Sequence, residues 1–100
     1  MANQLISEMR NGNVKSILQG LDHQGAIYRM NAIGFAALNK IAIFDVLQKI
    51  QLLKNDDVQF DGYTVSDFAI AALDILKVEK YAGAENQIKA LIESEFDFLR

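Results

Sequence analysis

The sequence predicts an all-α domain of about six helices. Three observations carry this. Apolar residues recur at helical spacing along most of the chain, no segment sustains period-2 alternation between turn residues, and there is no proline to break a helix interior. With 100 residues, the chain reads as one domain over residues 1–100, able to bury about two-thirds of its unfolded surface.

Leu5, Ile6 and Met9 make a short first stripe. Asn11-Gly12-Asn13 breaks it, and Asn13 is placed as N-cap of a second helix carrying Val14, Ile17, Leu18 and Leu21. Residues Ala26 to Ile41 are apolar over most of a helical circumference and rich in alanine, so a helix there is covered on several sides. Gly34 is interior to it and predicts close helix contact. Between Ile43 and Lys54, the residues Ile43, Val46, Leu47, Ile50 and Leu53 form one amphipathic stripe. Asn55–Tyr63 reads as a loop, extended around Val58-Gln59-Phe60. Thr64-Val65-Ser66-Asp67 has capping-box spacing and opens a second alanine-rich helix to Val78. Ile88, Leu91, Ile92, Phe96 and Leu99 make a last stripe with Glu85 in its first turn. Gly12, Gly25, Gly62 and Gly83 fall at the boundaries.

Composition narrows the function. Apolar residues make up 51% of the chain, too many for a disordered one. The absence of cysteine rules out disulfides and thiolate chemistry, and the single histidine leaves no His-rich metal site. A net charge of −3 with scattered basic residues argues against nucleic-acid binding. No run reaches the ~18 apolar residues of a membrane span, and the first residues lack a basic, then apolar, leader pattern. The expectation is a soluble cytoplasmic protein with no membrane contact.

The two alanine-rich segments align at an offset of 37 residues, Ala32-Ile33-Gly34 over Ala69-Ile70-Ala71 and Lys40-Ile41 over Lys77-Val78. Each follows an amphipathic helix that ends in leucine and a polar turn with aspartate, Leu21-Asp22 and Leu53-Lys54-Asn55-Asp56. Here the chain resembles the HEAT and armadillo helical-repeat families, whose unit is a helix pair of about 40 residues. Asp22 and Arg29 occupy the positions of the family's turn aspartate and second-helix arginine; Asp56 or Asp57 fits the second unit, where Ser66 stands at the arginine position. The resemblance covers roughly residues 13–78 and implies a short right-handed stack of α-hairpins with scaffolding function. A compact orthogonal helical bundle is the alternative architecture.

Chemistry-bearing motifs are few. Asp57-Val-Gln59-Phe-Asp61-Gly62 echoes the start of a calcium loop, but its twelfth position, where a bidentate glutamate belongs, is Phe68. A polar connector turning at Asp61-Gly62 is the reading, with no metal and no cofactor. His23, in Asp22-His23-Gln24-Gly25, has no nucleophile in a suitable motif nearby and reads as an exposed loop histidine. No enzyme activity is expected. Five aspartates between positions 56 and 74 face no lysine or arginine in that interval. Asp56, Asp57 and Asp61, with Tyr63 beside them, are therefore the candidate contacts for another, basic, protein. The expected function is non-catalytic protein–protein interaction; the alternative is a small acidic immunity protein that neutralises a basic, nuclease-like toxin.

Overall fold

Six α-helices and one short β-ladder make up residues 4–60, 62–78 and 86–93, which a computed structural model describes. They are α1 (Gln4–Arg10), α2 (Val14–Leu21), α3 (Ala26–Leu38), α4 (Phe44–Leu53), β1 (Gln59–Phe60), β2 (Tyr63–Thr64), α5 (Val65–Ile75) and α6 (Asn86–Glu93). The fold is all-α, as the helical periodicity predicts. The expected loop over 55–63 holds a small surprise: Gln59 and Phe60 pair antiparallel with Thr64 and Tyr63. The expected contributions of Phe96, Leu99 and Glu85 to the last helix lie outside the described residues, as do Gly83 and Tyr81.

The helix ends follow local chemistry. Asn13 caps α2 by accepting the Ser16 N–H at 3.0 Å, and Thr64 caps α5 by accepting the Asp67 N–H at 3.0 Å. The segment expected to stay helical to Ile41 stops at Leu38, because Lys40 turns to φ 55°. Its N–H then reaches Ala37 O at 3.1 Å, and the Ile41 N–H reaches Ala36 O at 2.9 Å. Lys77, at φ 62°, ends α5 in the same way, with Val78 N–H on Leu73 O at 3.0 Å. These are paired Schellman closures, built on lysine where glycine is the usual occupant. The Lys40-Ile41 and Lys77-Val78 match in the sequence is thus a repeated helix stop.

The hairpin α2–α3 lies beside α4–α5, with α2 against α4 and α3 against α5. Helix α1 covers α2 and α3, while α6 packs on α5 and folds back onto α3. The radius of gyration is 11.8 Å, against about 13 Å for a compact chain of this length. The alanine-rich helices are the centre, as their nearly unbroken apolar circumference requires: Met30, Ile33, Ala36 and Ala37 of α3 are buried, with Phe68, Ala69, Ala72 and Leu73 of α5. Phe68, Ala72, Leu73 and Ile33 are fully buried; Leu38 and Leu76 are only partly covered. Among the described residues, no helix is long and apolar enough to cross a membrane.

One close approach lies at Gly20, in the last turn of α2. A Cβ added to Gly20 would collide with the Met9 side chain and stand 2.9 Å from Ala32 Cβ. Alanine favours a helix by about 1 kcal/mol over glycine. Overpacking against two fully buried side chains costs about 1–3 kcal/mol. We expect overpacking to win, so Gly20→Ala should lower the melting temperature. A higher melting temperature would mean that α1 yields freely.

The α1–α2 junction contains an acid-sensitive contact. The Ser16 hydroxyl donates to Glu8 Oε1 at 2.6 Å and the Gln4 amide to Oε2 at 3.1 Å. The Ser16 bond first, and then the Gln4 bond, hold the Glu8 carboxyl below its usual value of 4.5. A depressed folded value adds stability above the unfolded pKa, and that stability is lost as pH falls through the folded one. Melting curves between about pH 7 and pH 3 should therefore show a component below the usual carboxylate range that Glu8→Gln removes. Equal pH dependence in wild type and variant would exclude Glu8 as its source.

Candidate interaction surfaces

The acidic turn is wired differently from what its sequence neighbourhood implies. The interval from Asp56 to Asp74 holds no lysine or arginine, but Arg29, 27 residues away from Asp56, reaches it in space. Arg29 Nε donates to Asp56 Oδ2 at 2.8 Å, and both side chains are largely covered, at 12% and 17% exposure. The same guanidinium donates through Nη1 to His23 O at 2.8 Å and to Gln24 O at 2.7 Å. Asp56 Oδ1 accepts the Val58 N–H at 3.1 Å, and Asp56 O accepts the Ser66 N–H at 2.7 Å. Ser66 Oγ donates to Lys54 O at 2.6 Å. Arg29 and Ser66, the corresponding positions of the two repeat units, therefore each bond carbonyls of the turn before their own helix. Arg29 also ties the first turn to the second. Asp56 is an element of this structural network, and the expectation that it lacks a basic neighbour is corrected.

The other candidate residues differ. Asp57 is exposed and has no hydrogen-bond or ion-pair partner among the described residues. Tyr63 is half-buried, its ring edge-on to Phe68 with centroids 5.9 Å apart. Asp61 lies outside the described residues. Asp74, at the far end of α5, pairs with Lys89 at 3.3 Å.

His23 also departs from its reading as an exposed loop residue. It is half-buried and stacks on Tyr28 with centroids 4.1 Å apart. Its Nδ1 accepts the Gly25 N–H at 2.9 Å, so in this arrangement the ring proton sits on Nε2. Gly25 is the N-cap of α3 and has no side chain to offer, so the ring orders the turn before the helix. Among the described residues, no group of three or more His, Asp or Glu is positioned to hold a metal ion.

The surface that sequence reading passed over is on α4. Val46 and Ile50 of the expected stripe are buried, with Leu47 and Leu53 partly covered, whereas Ile43 is the exposed N-cap. Phe44 and Leu52 lie off that stripe and point to solvent, 74% and 70% exposed. Leu52 lines a shallow groove with Leu18 of α2 and with Asp45, Gln48 and Lys49. Lys49 Nζ spans the groove's edge to both oxygens of Asp22, at 3.0 and 2.9 Å. That pair is exposed and contributes at most about 1 kcal/mol. The signal was present in the sequence: Phe44 and Leu52 are large apolar residues on the helix face where the amphipathic pattern calls for polar ones.

A second depression, between Arg10, Phe35, Leu38 and Asn39, reads as sealed helix ends. Asn39 Nδ2 donates to Phe35 O at 2.8 Å and to Arg10 O at 3.4 Å, while the Arg10 guanidinium lies 5.5 Å from the centre of the Phe35 ring.

No family model, curated relative or solved structure matches the chain.

Proposed function

We propose that this chain is a non-catalytic protein-interaction module, a short HEAT-like stack of two helical hairpins that meets its partner through the outer face of α4 and α2. One observation carries the reading: Phe44 and Leu52, the most exposed large apolar side chains among the described residues, stand two turns apart on one side of α4, where Leu52 and Leu18 line a groove with three polar residues. Single exposed apolar residues are ordinary, but two on the same solvent-facing side of one helix, set among polar groups, favour a contact surface. The non-catalytic reading draws support from how the polar groups are used. The His23 acceptor holds the Gly25 N–H, and the Asp56 carboxylate holds Arg29 and Val58.

A second reading, an acidic immunity protein that neutralises a basic toxin, is favoured by the net charge of −3 and the unpaired, exposed Asp57. The two readings use different surfaces, and affinity capture from the native host with wild type, Leu52→Glu and Asp57→Asn separates them. Loss of the partner with Leu52→Glu alone supports the α4 face. Loss with Asp57→Asn alone, of one tight, basic, nuclease-like protein, supports the immunity reading. A bound small molecule with no protein partner would overturn both.

A further inference from the structure

We propose that the occupant of the α4 face is a second copy of this chain, packed α4 against α4 in antiparallel fashion about a two-fold axis beside Gln48. This rests on the reading of α4 as a contact surface and adds the partner's identity. The face reads the same from both ends. Phe44, Gln48 and Leu52 recur at i, i+4 and i+8, apolar, polar, apolar, over about 12 Å of helix. In a two-fold contact, residue i meets j and j meets i. Phe44 therefore lies against Leu52 of the second copy, Leu52 against its Phe44, and Gln48 against its own counterpart. A glutamine amide donates and accepts, so two of them satisfy each other on the axis.

Charge fixes the direction. Asp45 and Lys49 are one turn apart on the same flank of this face, both beside the groove. An antiparallel partner reverses their order, bringing Asp45 of each copy towards Lys49 of the other. Asp45 is exposed and has no ion-pair partner among the described residues. Lys49 has three donor hydrogens, enough to hold Asp22 of its own chain and an Asp45 from the second. A strongly basic occupant fits less well, because Lys49 stands between the two aspartates and would repel it.

The test uses the absence of cysteine from the chain. Gln48→Cys puts a lone thiol at the proposed axis, where facing helices bring Cα atoms within disulfide reach. Gln59→Cys puts one on the exposed hairpin strand instead. Mild oxidation should convert Gln48→Cys from 11.2 kDa to twice that mass and leave Gln59→Cys monomeric.

Sedimentation of the wild type should show a dimer that grows with concentration. Asp45→Lys and Lys49→Asp should each weaken it about tenfold at low salt. Their equimolar mixture should restore it, since each lysine then meets an aspartate across the axis. Circular dichroism confirms that each variant is folded. A wild type that stays monomeric up to about 1 mM, or Gln59→Cys cross-linking as fast as Gln48→Cys, overturns the proposal. If the wild type is monomeric and Leu52→Glu still loses a captured protein, the second-copy proposal falls while the interaction reading stands. If neither effect appears, both fall.

Discussion

Arg29→Ala should cost about 3–5 kcal/mol, the usual penalty for removing one partner of a buried ion pair. The residue carries more than charge. Its guanidinium serves the Asp56 carboxylate and two carbonyls of the α2–α3 turn at once. Removing it leaves Asp56, at 17% exposure, without its cation and strips two acceptors of their donor. For a chain of this size, the loss corresponds to a fall in melting temperature of roughly 10–30 °C. The double variant Arg29→Met, Asp56→Asn should recover part of it, because the uncompensated carboxylate goes with the cation. Thermal unfolding of Arg29→Met, Asp56→Asn and the double completes the cycle. Additive losses would show that the residues act independently.

Leu73→Ala comes second, at about 2–5 kcal/mol. Leu73 is fully buried in α5, the helix that packs against α3, α4 and α6. Truncation loses the transfer energy of the side chain and leaves a cavity between helices that many small residues already hold close. Its carbonyl also accepts the Val78 N–H at the helix stop, but that bond survives truncation because it belongs to the backbone. Chemical denaturation should therefore show a lower midpoint with little change in slope. An unchanged midpoint would mean that the buried face of α5 around Leu73 contributes nothing to stability.

What could be read from the sequence was mainly local. Helical periodicity gave the fold class, and the caps at Asn13 and Thr64 depend on residues three positions apart. The two nearly apolar helices identified the centre because only a helix covered on several sides tolerates that composition. What escaped is long-range or conformational. Arg29 and Asp56 are far apart in sequence, and only the docking of one hairpin on the other brings them together. Lys40 and Lys77 hid their helix stops because a left-handed residue is expected to be glycine. Gly20 drew no attention as a packing position, yet a Cβ there would collide with the Met9 side chain, which only the docking of α1 on α2 brings close. On α4, the eye followed the stripe that builds the core and missed the two apolar residues opposite it.

On this reading, the second apolar face of α4 serves contact and not folding. The direct measurement is thermal unfolding of the double variant Phe44→Ser, Leu52→Glu, at a dilution where sedimentation finds the wild type monomeric. Both side chains are more than two-thirds exposed, and surface substitutions usually change stability by no more than about 0.5 kcal/mol. The double variant should melt within about 4 °C of wild type. A fall as large as that of Leu73→Ala would contradict it, because Phe44 and Leu52 would then belong to the core.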